Sequence, residues 1–202
     1  MAQKGFFINE SMCQNCHACE IACSEWNDIR PTEYSDEAVD VKWLDILTRE
    51  EGSYDDLDLT TLPLPCLHCE EPACVEAAPE NGIYKREEDG LVFVEPSNLS
   101  EGDTEAIVEA CPFDRIQVSD IEMPASSSYP DGKLAGLPQK CTGCFDRVEE
   151  PACVAACPTE ALQFGDIETL RDEHPDASQE LLKEIFGTQA VENNKPAIII
   201  EE

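Results

Sequence analysis

Twelve cysteines in 202 residues, set in four groups, limit this chain more than any other feature it has. Group one is CQNCHACEIAC, with Cys13, Cys16, Cys19 and Cys23 spaced C-x2-C-x2-C-x3-C. Group two, CLHCEEPACVEAAP, holds Cys66, Cys69 and Cys74. Group three is the single Cys111 of EACPF, and group four, CTGCFDRVEEPACVAACP, holds Cys141, Cys144, Cys153 and Cys157. Groups two and four share a repeat: EEPACVEAAP returns as EEPACVAACP 79 residues later, with Ala78 standing where the later copy has Cys157.

The N-terminal run MAQKGFFINESMCQNC has neither a charged-then-apolar leader nor a twin arginine, and no apolar run approaches the ~18 residues of a membrane span. The expected compartment is the cytoplasm, with export bound to a signal-bearing partner as the other route. Cysteines there point to metal rather than disulfides. Large aliphatic clusters are sparse and aromatics make up 6% of the chain, so metal staples are expected to supply what a small core cannot. A zinc site closes one tetrahedron from isolated cysteine pairs, and the four sulfurs of group one crowd it. Their spacing is that of bacterial ferredoxins, although no proline follows Cys23. Three thiolates on a tight loop cap one iron–sulfur cube, and the fourth, carried away on a helix, serves the neighbouring cube. Such motifs work in pairs.

Pairing groups one and four gives two complete ligand sets: Cys13, Cys16, Cys19 and Cys157 for cluster A, and Cys23, Cys141, Cys144 and Cys153 for cluster B. Pairing groups two and three completes a third, cluster C, from Cys66, Cys69, Cys74 and Cys111. Counting back from Cys111 by the same spacing finds Glu101, Thr104 and Ile107, and their partner from group two is Ala78. All four ligands of one cluster are missing together, where random decay would leave a partial site. The reading is three [4Fe-4S] clusters and a fourth site deleted whole. A zinc-stabilised interaction module is the bland alternative, and it would be colourless and redox-silent.

This pairing forces the chain ends to meet. The expected fold class is α+β: two ferredoxin-like units of the bacterial dicluster type, the second inserted into the first, with long loops, short helices and hairpins. The outer unit takes residues 1–62 and 137–202 with two clusters, and the inserted unit takes 63–136 with one cluster and the lost site. TTLPLP (60–65) and MPASSSYPDGKLAGLP (123–138) read as its borders. NGIYKREEDGLVFVE reads as a hairpin turning at Gly90, and AIII as a closing strand. Asp176 and Ser178 are candidate caps for a helix over SQELLKEIF that stops at Gly187. Trp43, Leu44 and Ile46 are expected to pack on the cluster loops, and Ala18, Ile21, Val75 and Val154 to keep water off them. His17 and His68 sit within cluster loops as candidate hydrogen-bond donors. His174 reads as solvated, and Lys140 and Arg147 as cations beside group four.

Forty-four acidic against thirteen basic residues give a net charge of −31. That exceeds what solubility asks for and points to high intracellular salt or to a docking face for a basic partner. With no basic patch, nucleic acid is not an expected partner. No nucleophile–base pair, P-loop or dinucleotide glycine motif is present, so the chain is not expected to be an enzyme by itself.

The runs GFFINESMCQNCHACEIACSEWND, PCLHCEEPACV, YKREEDGLVFVE and KCTGCFDRVEEPACVAACPTEALQFGD resemble the iron–sulfur subunits of the dimethyl sulfoxide reductase family, over roughly residues 5–170. The resemblance implies an electron-transfer subunit that relays electrons to or from a molybdopterin (molybdenum or tungsten) catalytic subunit, in a heterodimer or with a membrane-anchor subunit added. Members usually carry four clusters, and this chain departs at Ala78, Glu101, Thr104 and Ile107. Within the family, KWLDILTREEGSYDD, VEPSNLSEGDTEAIVEACPF and NNKPAIII are similar to the three-cluster small subunit of pyrogallol–phloroglucinol transhydroxylase. A respiratory reductase or dehydrogenase is the other expectation for the complex. A free-standing soluble polyferredoxin is the alternative function, and the long ligand-free segments 26–62 and 158–202 speak against it.

Overall fold

The computed structural model describes residues 2–29, 41–119, 129 and 134–202. Within them the protein is a mixed arrangement of short helices and strands around cysteine loops. A three-stranded sheet joins distant parts of the sequence: β1 (Lys4–Asn9) lies between β8 (Leu162–Asp166), antiparallel to it, and β9 (Ile198–Glu201), parallel to it. KGFFIN lacks the alternation of a half-exposed strand because both of its faces are covered. Phe6 and Ile8 enter the main core, while Phe7 packs with Ile167, Leu170 and Ile199 on the other side. Gly5 is required by the close approach of the last strand: a Cβ there would sit 2.1 Å from the Ala197 carbonyl oxygen. The expected AIII strand is therefore present, and it draws the C-terminus onto the N-terminus.

Between those ends the protein forms a long hairpin of β2 (Leu44–Ser53) and β3 (Asp56–Pro65). Its inner half, with Leu44, Leu62 and Leu64, is core, and its outer half projects Tyr54, Leu57 and Leu59 into solvent. TTLPLP, read from sequence as a border run, is the inner end of β3. Pro63 and Pro65, two residues apart, present their missing N–H groups on the same side, so a strand paired on one edge accommodates both. Of the second border run, residues 123–128 and 130–133 lie outside the described residues, while Pro138–Gln139 (β7) pairs with Gln117–Val118 (β6).

The expected small hairpin is β4 (Ile83–Lys85) with β5 (Val92–Val94), and Gly90 adopts φ +72° in its turn. α5 (Ile167–Glu173) is capped by the Asp166 carboxylate, which accepts from Thr169 N at 3.0 Å. α6 (Glu180–Phe186) stops at Gly187, φ +89°, as expected. Its cap residue is Gln179 rather than Asp176, and Ser178 Oγ accepts from Glu180 N at 3.2 Å. A second short helix, α7 (Thr188–Asn194), follows at once; its polar sequence TQAVENN carries no periodic signal. Trp43 and Leu44 are buried in one continuous core with Cys23, Cys66, Cys141 and Cys153, and Ile46 packs on its margin, so this segment does brace the cysteine loops.

Candidate metal centres

Each cysteine loop coils tightly because several residues adopt left-handed backbone: Asn15 (φ 51°) and His17 (φ 59°) in group one, His68 (φ 41°) in group two, Gly143 (φ 66°) and Cys144 (φ 48°) in group four. Such turns bring thiols two residues apart onto one side. The helices that follow separate the rest. α1 (Ala18–Trp26) carries Cys19 in its first turn and the buried Cys23 one turn on. α2 (Ala73–Ala77) carries Cys74, and α4 (Ala152–Ala155) carries Cys153.

Mutual repulsion of the thiolates shows which sulfurs are neighbours. It links Cys13 with Cys16 and Cys157, and Cys19 with Cys13 and Cys157. It links Cys23 with Cys141 and Cys144, and Cys153 with those three. It links Cys69 with Cys66, Cys74 and Cys111, and Cys74 and Cys111 each with Cys66. The same repulsion links the sets in series: Cys19 acts on Cys23 and Cys153, and Cys66 acts on Cys141.

Burial is the first cause of raised thiol pKa at most of these positions, with sulfur–sulfur repulsion adding to it. It pushes Cys19, Cys74 and Cys141 up to about 12, and lifts Cys13, Cys23, Cys69, Cys111, Cys144 and Cys153 as well. Cys157 departs from this pattern. Burial raises it, but hydrogen bonds from the Thr159 hydroxyl and from the backbone of Thr159, Leu162 and Ala161 together bring it below the ordinary value. Buried thiols crowded in fours are poor acids alone and good ligands for a cationic centre that displaces their protons.

Around Cys66, Cys69, Cys74 and Cys111 the protein leaves about 350 Å³ of atom-free space, part of it open to solvent, lined also by Val92, Phe113 and Ile116. A lone zinc requires four sulfurs drawn to about 2.3 Å from one point. Among the described residues no three His, Cys, Asp or Glu side chains converge that closely. An all-cysteine set around such a volume fits an iron–sulfur cube, which takes four thiolates at its corners.

The four positions read as a lost site are differently built. Glu101, Thr104 and Ile107 lie on a regular helix, α3 (Glu101–Glu109), opened by a Ser100–Asp103 capping box. Thr104 Oγ1 donates to Gly136 O at 2.9 Å. Ile107 is fully buried and packs with Ile83, Val92, Val94 and Ile116, against which Ala78 also rests. Apolar side chains and a helix occupy the positions read as the lost site.

Several sequence expectations need correction. Ile21 is 64% exposed and shields nothing: it lies two residues from both Cys19 and Cys23, about 200° around the helix from each. Ala18, Val75 and Val154 are half-buried beside the loops. His17 turns outward, its Nδ1 2.7 Å from Glu20 Oε2. His174 is not solvated but stacks on Phe7 at 3.6 Å. Arg147 covers the Trp26 ring at 4.3 Å and donates to Glu150 O, although its charge still lowers the pKa of Cys144. Lys140 is only 1% exposed, and its charge reaches both Cys74 and Cys141. Asn27 escaped the sequence reading: its buried Nδ2 lies 3.7 Å from Cys23 Sγ. Its position one helical turn after a cysteine was the available signal.

A family model described as a 4Fe-4S dicluster domain matches residues 57–167. The B component of the anaerobic dimethyl sulfoxide reductase of Escherichia coli is 32% identical over 202 aligned residues, covering 98% of this chain and 88% of that protein. The B component of the sulfite dehydrogenase of Allochromatium vinosum is 30% identical, covering 83% and 70%. The formate dehydrogenase-O iron-sulfur subunit of Escherichia coli is 32% identical, covering 81% of this chain and 53% of its own length.

Proposed function

Since this protein belongs to the iron–sulfur subunits of the dimethyl sulfoxide reductase family, we propose that it is the electron-transfer subunit of a molybdopterin oxidoreductase complex and carries three [4Fe-4S] clusters. In this reading Cys13, Cys16, Cys19 and Cys157 hold one cluster, Cys23, Cys141, Cys144 and Cys153 the second, and Cys66, Cys69, Cys74 and Cys111 the third. The observation that supports it is the mutual electrostatic influence of thiols from distant segments, which links Cys157 to the group-one loop, Cys23 to group four and Cys111 to group two. Clusters bound there supply reversible one-electron transfer. The residues that would hold them share one core with Trp43 and Leu44, and the Lys140 charge would act on both the second and the third set through Cys141 and Cys74.

The outer unit of this reading is residues 1–62 with 137–202 and the inserted unit 63–136; the pairing of β1 with β8 and β9 supports that division. Substrate chemistry belongs to a separate catalytic polypeptide. Three relatives bear the names of a dimethyl sulfoxide reductase, a sulfite dehydrogenase and a formate dehydrogenase, which favours a reductase or dehydrogenase complex. Among the described residues no helix is long and apolar enough to cross a membrane, and a membrane-anchor subunit is a further partner in this reading. The proposed compartment is the cytoplasm, or wherever a signal-bearing partner carries the complex.

The test is elemental analysis of the complex purified without oxygen. About twelve iron atoms assigned to this protein, with molybdenum or tungsten co-purifying, is the expected result for three four-iron centres. Iron near eight would remove one centre from the reading, zinc in its place would remove all three, and iron without either heavy metal would remove the partner.

A further inference from the structure

His68 stands between Cys66 and Cys69 in the group-two loop. The ring is wholly buried, and its Nδ1 accepts the backbone N–H of Val92 at 3.0 Å. A ring nitrogen that accepts carries no proton, so the one ring proton of this imidazole is on Nε2. Among the described residues that Nε2–H has no hydrogen-bond partner. Buried donors are almost always satisfied, and an orphan of this kind marks the place of a missing acceptor. It lies beside Gly143: a Cβ built there would be 3.6 Å from His68 Nε2. Gly143 sits in the loop between Cys141 and Cys144, so this donor lies next to the loop of the neighbouring set of ligands. The Val92 peptide is locked from both ends, its N–H by His68 and its carbonyl by the Lys140 ammonium, which also donates to Cys141 O at 2.8 Å.

We propose that His68, carried by the group-two loop, donates its Nε2–H to sulfur of the centre held by Cys23, Cys141, Cys144 and Cys153, and so sets the reduction potential of that neighbouring centre. This rests on the ligand reading given above. A donor to cluster sulfur favours the state with more negative charge, which is the reduced one, and raises the potential. The consequence is a built-in asymmetry: a residue within the Cys66 loop biases the electron toward the middle of the series.

Two substitutions separate the two ends of the ring. His68→Asn keeps an acceptor for Val92 N–H and removes the far donor, while His68→Gln places an amide donor where Nε2 was. Redox titration of the purified complex, followed by electron paramagnetic resonance, reads each centre. Cys153→Ser and Cys111→Ser proteins identify which signal is which. We expect His68→Asn to shift the reduction equilibrium of the Cys153-dependent centre about tenfold toward the oxidised form, ~59 mV for one electron. The Cys111-dependent centre should move less, and His68→Gln should recover much of the loss. A shift confined to the Cys111-dependent centre, or none in His68→Asn, overturns the proposal. Should that variant fail to fold, 15N-histidine labelling of the unsubstituted protein decides: hyperfine coupling from one histidine on the Cys153-dependent signal supports the bond, and its absence overturns it. Signals untouched by Cys153→Ser would overturn the ligand reading and the inference with it.

Discussion

The deleted site allows a demanding test, because restoring its cysteines should not restore a cluster. The perturbation is the fourfold replacement Ala78→Cys, Glu101→Cys, Thr104→Cys and Ile107→Cys, which rebuilds the ligand spacing in full. The structure opposes it at two levels. Positions 101, 104 and 107 lie on the regular α3 helix with a capping box at its start, whereas the cysteine loops of groups one and four turn through left-handed residues. Ile107 is also the centre of a small apolar core with Ile83, Val94 and Ile116. Replacing it by cysteine removes about two methylene equivalents, ~1.5 kcal/mol at roughly 0.8 per group. Losing the bond from Thr104 Oγ1 to Gly136 O removes about 1 kcal/mol more. The replaced protein should therefore keep its iron content unchanged while α3 is loosened by about 2–3 kcal/mol. Amide hydrogen exchange along α3 measures that loosening on the intact protein, as a roughly 30- to 150-fold faster opening. A gain of about four iron atoms per protein, with a new paramagnetic signal on reduction, would refute the argument that helix and core have taken over the site.

Three further expectations follow from the same geometry. In the iron-free protein, burial holds the thiols of Cys74 and Cys141 at about 12 against 9.0 when unfolded. Since the folded-state pKa is raised, the stability involved is intact below pH 9 and drains away as pH climbs toward 12, on the order of 4 kcal/mol per thiol. Thermal melts of the iron-free protein between pH 8 and 11 should fall steadily, and a flat profile would contradict the burial of these sulfurs. Gly143→Ala puts a Cβ at φ +66° and 2.8 Å from Leu91 Cδ1, adding ~1–2 kcal/mol of backbone strain to the clash. The melting temperature and iron retention should both drop, and wild-type values for both would show that the loop relaxes freely. Finally, a net charge of −31 makes self-repulsion large. Raising KCl from 0.1 to 1 M shortens the screening length from about 10 to about 3 Å and should raise the melting temperature; insensitivity to salt would assign the acidity to a partner instead.

Much of this protein can be read from local sequence, because ligand spacing is a local property. Two residues between cysteines put sulfurs on one turn, and three more put the last on a helix. EEDG with Gly90 announces its own hairpin, and Gly187 announces the end of α6. Even the absence at Ala78, Glu101, Thr104 and Ile107 could be counted out from Cys111. What sequence could not supply were directions in space. Ile21 reads as one more apolar residue in a cysteine helix, and only the turn of α1 sends it outward. TTLPLP has the composition of a linker, yet it pairs with Leu44–Arg49 and its Leu62 and Leu64 enter the core. Lys140 reads as a cation beside group four, and only the fold buries it and extends its charge to Cys74 of group two. His68 looks like a residue of the Cys66 loop, and the hairpin that presents Val92 N–H fixes its tautomer and leaves its other nitrogen facing Gly143. Sequence alone determined which atoms can bind metal, since that depends on residue type and on spacing along the backbone. The tertiary structure decided which charges and donors each set of sulfurs meets, since those come from segments far apart in the sequence and depend on how strands and helices pack.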